Sequence, residues 1–126
     1  MKFLLDTSFI MSAAAFRIDI EDGLRKFGRP ELFVLSLVLG ELEGLAVGRG
    51  REGMRARISL QLIEKLGATV IRTKLAHTDR VIVRQAVMKG MAVCTADRSM
   101  RETLLRRGVS VVEIRRKKLL HMLIPG

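Results

Sequence analysis

Five short, nearly unbroken apolar runs punctuate this chain, and between them apolar residues recur every three or four positions. The runs are "KFLL" at 2–5, "ELFVL" at 31–35, "ATVIRT" at 68–73, "MAVCT" at 91–95 and "VSVVEI" at 109–114. Their length and their Val, Ile and Leu content predict strands. Strict polar–apolar alternation is lacking, so these strands should be buried on both faces, as in a parallel sheet with helices on either side.

The intervening stretches predict helices with recognisable ends. Thr7 or Asp6 opens the first, which carries Phe9, Ile10 and a run of alanines. Residues 20–28, "IEDGLRKFG", read as a second helix closed by Gly28, with Pro30 preventing its continuation. Ser36 is the expected N-cap for "LVLGELEGLA". "GRGREG" at 48–53 reads as a basic, glycine-rich turn before a helix over 54–67. Thr78 should cap a helix that ends at Gly90. Ser99 and Glu102 have capping-box spacing in a helix that ends at Gly108. "RRKKLLHMLIPG" at 115–126 reads as a basic run with an apolar tail. The expected fold is a single α/β domain spanning 1–126, a three-layer α/β/α sandwich around a mainly parallel, twisted sheet of about five strands.

Charge changes the picture next. Lys and Arg total 23 against 13 Asp and Glu, a net charge of +10. So basic a chain of 126 residues points to a polyanionic partner, nucleic acid above all. Sixteen of the cations are arginine, whose fork suits phosphate. With no Trp or Tyr and five Phe, a base-stacking platform is not expected, and RNA would be held by its backbone. Cys94 stands alone, which rules out an internal disulfide and a cysteine-based zinc site and fits a reducing compartment. It should be a buried, inert thiol. The longest uncharged runs, 7–16 and 32–40, fall short of the roughly 18 residues a membrane span needs. The opening residues faintly resemble a signal peptide, but Asp6 interrupts the apolar region, and the expected location is cytoplasmic.

Four acids then fall on one side of the expected sheet. Asp6 ends the first strand, and Asp97 lies just beyond the fourth. Glu41 is on the helix after the second strand, and Asp79 is in the first turn of the helix after the third. Taken singly, each has an ordinary reading as a cap, a helix-dipole partner or an ion-pair member. Together at the carboxyl edge, where such folds bind ligands, they would repel one another unless a cation sat among them. An all-oxygen set suits Mg²⁺ or Mn²⁺.

"LLDTSFI", "LSLVLGELEGL", "HTDRVIV" and "VCTADRSMRETLLRRGVSVVEIRRKK" together resemble the PIN domain family, in order, over residues 3 to 118. The branch they resemble most is the archaeal and eukaryotic ribosomal-RNA-processing one, whose last strand is likewise followed by an Arg/Lys-rich segment. The resemblance implies a metal-dependent ribonuclease, often dimeric. It matches Asp6 to the first invariant acid, Asp97 to the Thr-x-Asp acid with Thr95, and Asp79 to the third-motif acid. Glu41, in preference to Glu43, matches the glutamate after the second strand. Ser8 and Thr95 would be hydroxyls that orient carboxylates. Members often carry a second acid after the third-motif aspartate, whereas Arg80 stands here.

Arg49, Arg51, Arg80, Arg98 and Arg101 are the residues expected to hold RNA. His77 is expected to cap a helix, and His121 to belong to the tail. The apolar stretches 32–40 and 119–126 lead us to expect a symmetric homodimer. Alternatives are a non-catalytic RNA-binding module with ribosome-assembly partners, or a VapC-type toxin ribonuclease with an antitoxin. A phosphoacceptor receiver domain needs paired acids after the first strand and a lysine after a late one, and neither is present.

Overall fold

All five expected strands form, and a sixth joins them. The computed structural model describes every residue, Met1–Gly126. The strands are β1 (Lys2–Leu5), β2 (Glu31–Leu35), β3 (Thr69–Ile71), β4 (Ala92–Cys94), β5 (Val111–Arg115) and β6 (Leu119–Leu123). The helices are α1 (Thr7–Phe16), α2 (Ile20–Leu24), α3 (Ser36–Ala46), α4 (Gly50–Leu66), α5 (Thr78–Lys89) and α6 (Arg98–Arg106).

The sheet order is β3-β2-β1-β4-β5-β6. Every pairing is parallel except that of β6, which runs antiparallel to β5. The chain works outward from β1 to β3, crosses to β4 on the other side of β1, and works outward again. Right-handed crossovers therefore place α1–α4 on one face of the sheet and α5 and α6 on the other. Helix packing agrees, with α1 and α3 against α4 and α5 against α6. The direction reverses between β1 and β4, so the crevice beyond their carboxyl ends is the switch point of the fold.

The core is one continuous cluster. Phe3, Leu4 and Leu5 on β1 are fully buried although they point alternately to opposite faces, which is what helix layers on both sides require. Cys94 is buried and unpaired, and burial pushes its thiol pKa up, as suits an inert side chain. No helix is long and apolar enough to cross a membrane.

The helix ends differ from expectation at several points. Ser36 is already helical, and its hydroxyl instead accepts the Thr73 N–H at 3.1 Å, fastening the start of α3 to the chain leaving β3. The cap position of α5 is His77 rather than Thr78, and its imidazole makes no capping bond. Ser99 lies inside α6, and Asp97 is the cap, accepting the Met100 N–H at 3.0 Å. Residues 20–28 split into α2 and a 3-10 turn, Arg25–Phe27.

The glycine-rich segment 48–53 is mostly helix. A Cβ at Gly53 would stand 1.9 Å from the Gly48 carbonyl oxygen, so only glycine lets α4 begin this close to the end of α3. Arg57 Nη1 completes the corner by donating to Ala46 O at 2.8 Å and Gly48 O at 3.1 Å.

The apolar tail is the largest correction. Residues 119–123 form β6 after a turn in which Arg116 and Lys117 adopt φ of 53° and 58°. Leu120 is buried over Gly23, where a Cβ would meet its Cδ1 at 2.7 Å. The tail thus completes the core beneath α2.

Candidate active site

At the switch point, β1 ends and Asp6 continues in extended backbone, its N–H donating to Cys94 O at 3.0 Å. Asp6 occupies the cap position of α1, but its carboxylate makes no capping bond. Instead Oδ2 accepts from Thr95 Oγ1 at 2.8 Å and from Ser8 Oγ at 2.9 Å. Each hydroxyl in turn accepts a backbone N–H from the loop after β4. Ala96 N donates to Ser8 Oγ at 3.0 Å, and Asp97 N donates to Thr95 Oγ1 at 3.1 Å. Ser8 and Thr95 therefore relay the dipoles of the β4–α6 loop onto one carboxylate oxygen, which fixes Asp6 in orientation.

Asp6 is 6% exposed, and no lysine or arginine pairs with it. Burial raises its pKa above the ordinary value. The Thr95 and Ser8 hydroxyls and the Thr7 backbone N–H oppose that rise, and the negative charge of Asp79 adds to it. Neutral donors alone thus offset the desolvation only partly, leaving a buried carboxylate short of positive charge.

The other acids come from separate elements that start at the same edge of the sheet. Asp79 is exposed in the first turn of α5, close enough for its charge to act on Asp6. Glu41, on α3, accepts from Thr7 Oγ1 at 2.7 Å, which ties α3 to the first turn of α1. Asp97 spends Oδ1 on the cap of α6, and its Oδ2 has no partner in the chain. No three His, Cys, Asp or Glu side chains converge tightly enough to form a metal cage. The donors are nonetheless all oxygen, and one of them is a buried carboxylate without a counter-charge. That chemistry fits a hard divalent cation, and Mg²⁺ in particular needs only one or two carboxylates because it keeps several waters.

Four of the five expected RNA-binding arginines divide into two groups. Arg80 and Arg98 are exposed on α5 and α6 beside the acids. Arg49 and Arg51 are exposed at the start of α4. Ser59 Oγ approaches Met11 Sδ at 3.6 Å, and eight residues of helix separate Ser59 from Arg51. At about 1.5 Å per residue, that spacing carries Arg51 beyond the level of Thr7, on the side of the acids. Arg101 differs, because its guanidinium donates to Glu113 Oε2 at 2.9 Å and is engaged with the sheet. Glu113 also holds Arg115 at 3.0 Å, with His121 Nδ1 4.0 Å away. His121 thus belongs to the β5–β6 face.

The five arginines named from the sequence did not include Arg84 and Arg107, which line a groove with Arg80, nor Arg116 and Lys117, which wall a cleft reaching Asp97. The one-turn spacing of Arg80 and Arg84 was the available signal; the rest needed the packing of α5 on α6.

A family model described as a PIN-like domain matches residues 3–117. The fold is similar to the structure of the PIN domain endonuclease Utp24, with a TM-score of 0.81 and 22% identity, covering 98% of this chain and 92% of that one. It is similar also to a domain of a functionally unknown protein from Methanocaldococcus jannaschii DSM 2661 (TM-score 0.63, 15% identity, 90% and 91% covered). PAE2754 from Pyrobaculum aerophilum is a third such structure (TM-score 0.56, 18% identity, 85% and 89% covered). None of the curated proteins matches the sequence.

Proposed function

From the premise that this chain belongs to the PIN-like domain family, we propose that it is a metal-dependent endoribonuclease acting on structured RNA such as ribosomal RNA precursors. The observation that carries the reading is Asp6: a buried carboxylate, oriented by two hydroxyls, without a counter-charge, at the switch point of the sheet. Asp6, Asp97, Asp79 and Glu41 are the residues that would hold Mg²⁺ or Mn²⁺. When bound, the ion supplies a Lewis acid for the phosphodiester and an activated water for attack. Ser8 and Thr95 keep the Asp6 carboxylate aimed, and the exposed arginines bind the RNA backbone by charge.

The test is cleavage of a structured RNA in Mg²⁺ or Mn²⁺ and in EDTA, with Asp6→Asn as the inactive control. Cutting that persists in EDTA, or in the variant, refutes the assignment.

A second reading, a non-catalytic RNA-binding module, is favoured by one specific observation. No three acids form a cage, and Asp97 already serves α6 as its cap. Wild-type protein that binds RNA but cuts none in either metal supports that alternative. We also propose a homodimer. The C-terminal segment that suggested it gives Leu120 to the core but leaves Leu119 and Ile124 exposed, and Val47, Met54 and Ile58 add apolar surface at the α3–α4 end.

A further inference from the structure

On the face of the sheet covered by α5 and α6, the two helices leave an open groove of about 490 Å³. Both helices start at the carboxyl edge, so the groove begins at Asp79 and runs down the flank of the molecule. Arg80 and Arg84 stand one turn apart on its α5 side, and Arg107 ends its α6 side. Val83 and Met100 supply apolar lining. All three arginines are exposed, and none forms an ion pair. This sets them apart from Arg101, whose charge Glu113 takes up.

Three unpaired guanidinium forks in one furrow favour a ligand carrying several phosphates in a row. The furrow is lined from both helices at once, so a single strand laid along it meets Arg80 and Arg84 on one side and Arg107 on the other. From Ser99 to Arg107, helix α6 covers about 12 Å at 1.5 Å per residue, long enough to face more than one backbone phosphate. At its carboxyl-edge end the groove is lined by Asp79, one of the four candidate acids.

We propose that the α5–α6 groove binds the single-stranded arm of the RNA leading away from the cleavage point. Arg80, Arg84 and Arg107 hold successive phosphates, while Val83 and Met100 line the side turned toward a ribose or base. The identity of the polyanion as RNA rests on the ribonuclease reading above; the groove and its free charges do not.

The experiment compares wild type with Arg84→Gln, Arg107→Gln and the double variant, using fluorescent single-stranded oligoribonucleotides of increasing length across a salt series. Arg29→Gln, exposed beyond the amino end of the sheet, is the control. Each lost phosphate contact should lower the salt slope by roughly 0.7 on a single strand, so the double variant should lose roughly 1.4. The length at which affinity stops rising should shorten, and Lys at either position should restore the slope. Melting temperatures should not move, because neither side chain is packed.

Equal slopes for wild type and double variant overturn the groove assignment, whether or not RNA is cut. Wild type that binds with full slope but cuts nothing removes the ribonuclease reading and leaves the groove standing. Wild type that binds no RNA overturns both. A double variant that changes sedimentation of the protein alone, with the slope intact, makes the groove a protein interface and overturns the inference.

Discussion

Replacing Asp6 with Asn separates a carboxylate kept for a cation from one kept for the fold. Two hydroxyls donate to Oδ2, and the amide oxygen of Asn can accept both. Hydrogen bonds to a charged acceptor contribute about 1.5–3 kcal/mol and neutral ones about 0.5–1.5. Neutralising the acceptor therefore weakens the pair by about 2 kcal/mol in total. Against this, the buried charge and its repulsion by Asp79 disappear, and these are the influences that raise the Asp6 pKa. The opposing effects leave the metal-free variant within about 1 kcal/mol of wild type, or a few degrees in Tm for a domain of this size.

The pH dependence follows from the same direction. A carboxyl whose folded pKa lies above its unfolded value binds protons more tightly when folded. Its contribution is fully present below the unfolded value of 3.8 and is lost as pH rises through the folded pKa. Metal-free wild type should therefore gain on Asp6→Asn as pH falls through that window. Cleavage should drop at least about a hundredfold in the variant, the scale of losing one preorganised electrostatic element, while RNA affinity holds. Thermal melts across pH, with cleavage and anisotropy on the same preparations, measure all of this. A variant that cuts RNA at the wild-type rate refutes the catalytic role, and one that is unfolded at neutral pH shows Asp6 to be structural.

Four further outcomes are expected. Mn²⁺ at a hundred times its Kd should stabilise wild type by about 2.7 kcal/mol and Asp6→Asn hardly at all, and calorimetry showing equal shifts would count against the site. Gly53→Ala drives a methyl into the Gly48 carbonyl, so overpacking should destabilise by about 1–3 kcal/mol or more and weaken RNA binding through Arg49 and Arg51; an unchanged Tm would refute the close approach. Leu120→Ala should cost about 2–5 kcal/mol in urea unfolding because Leu120 is 3% exposed over Gly23, whereas a loose tail would tolerate it. Arg101→Ala should lower stability more than RNA affinity, since its partner Glu113 is largely buried, and the reverse order in melts and anisotropy would restore Arg101 to the RNA surface.

Much of this protein was legible in its sequence because its determinants are local. Buried parallel strands need unbroken apolar runs, and those runs located β1 to β5 to within two residues at each end. Glycine after a helical period located the ends of α4 and α5, where Gly67 and Gly90 take up left-handed backbone. Asp6 stood out because a carboxylate directly after a buried strand is expensive without a reason. What depended on two distant segments could not be read locally. Capping by Asp97 rather than Ser99 turned on where the loop after β4 was pinned by Thr95 and Ser8. β6 was hidden because an edge strand pairs on one side only, and its register comes from β5 and the Arg116–Lys117 turn rather than from its own pattern. Tertiary packing likewise decided which arginines are free. Arg101 and Arg107 look alike in the sequence, but strand β5 presents Glu113 to the first and nothing acidic to the second, because a side chain's partner is set by the element packed beside it.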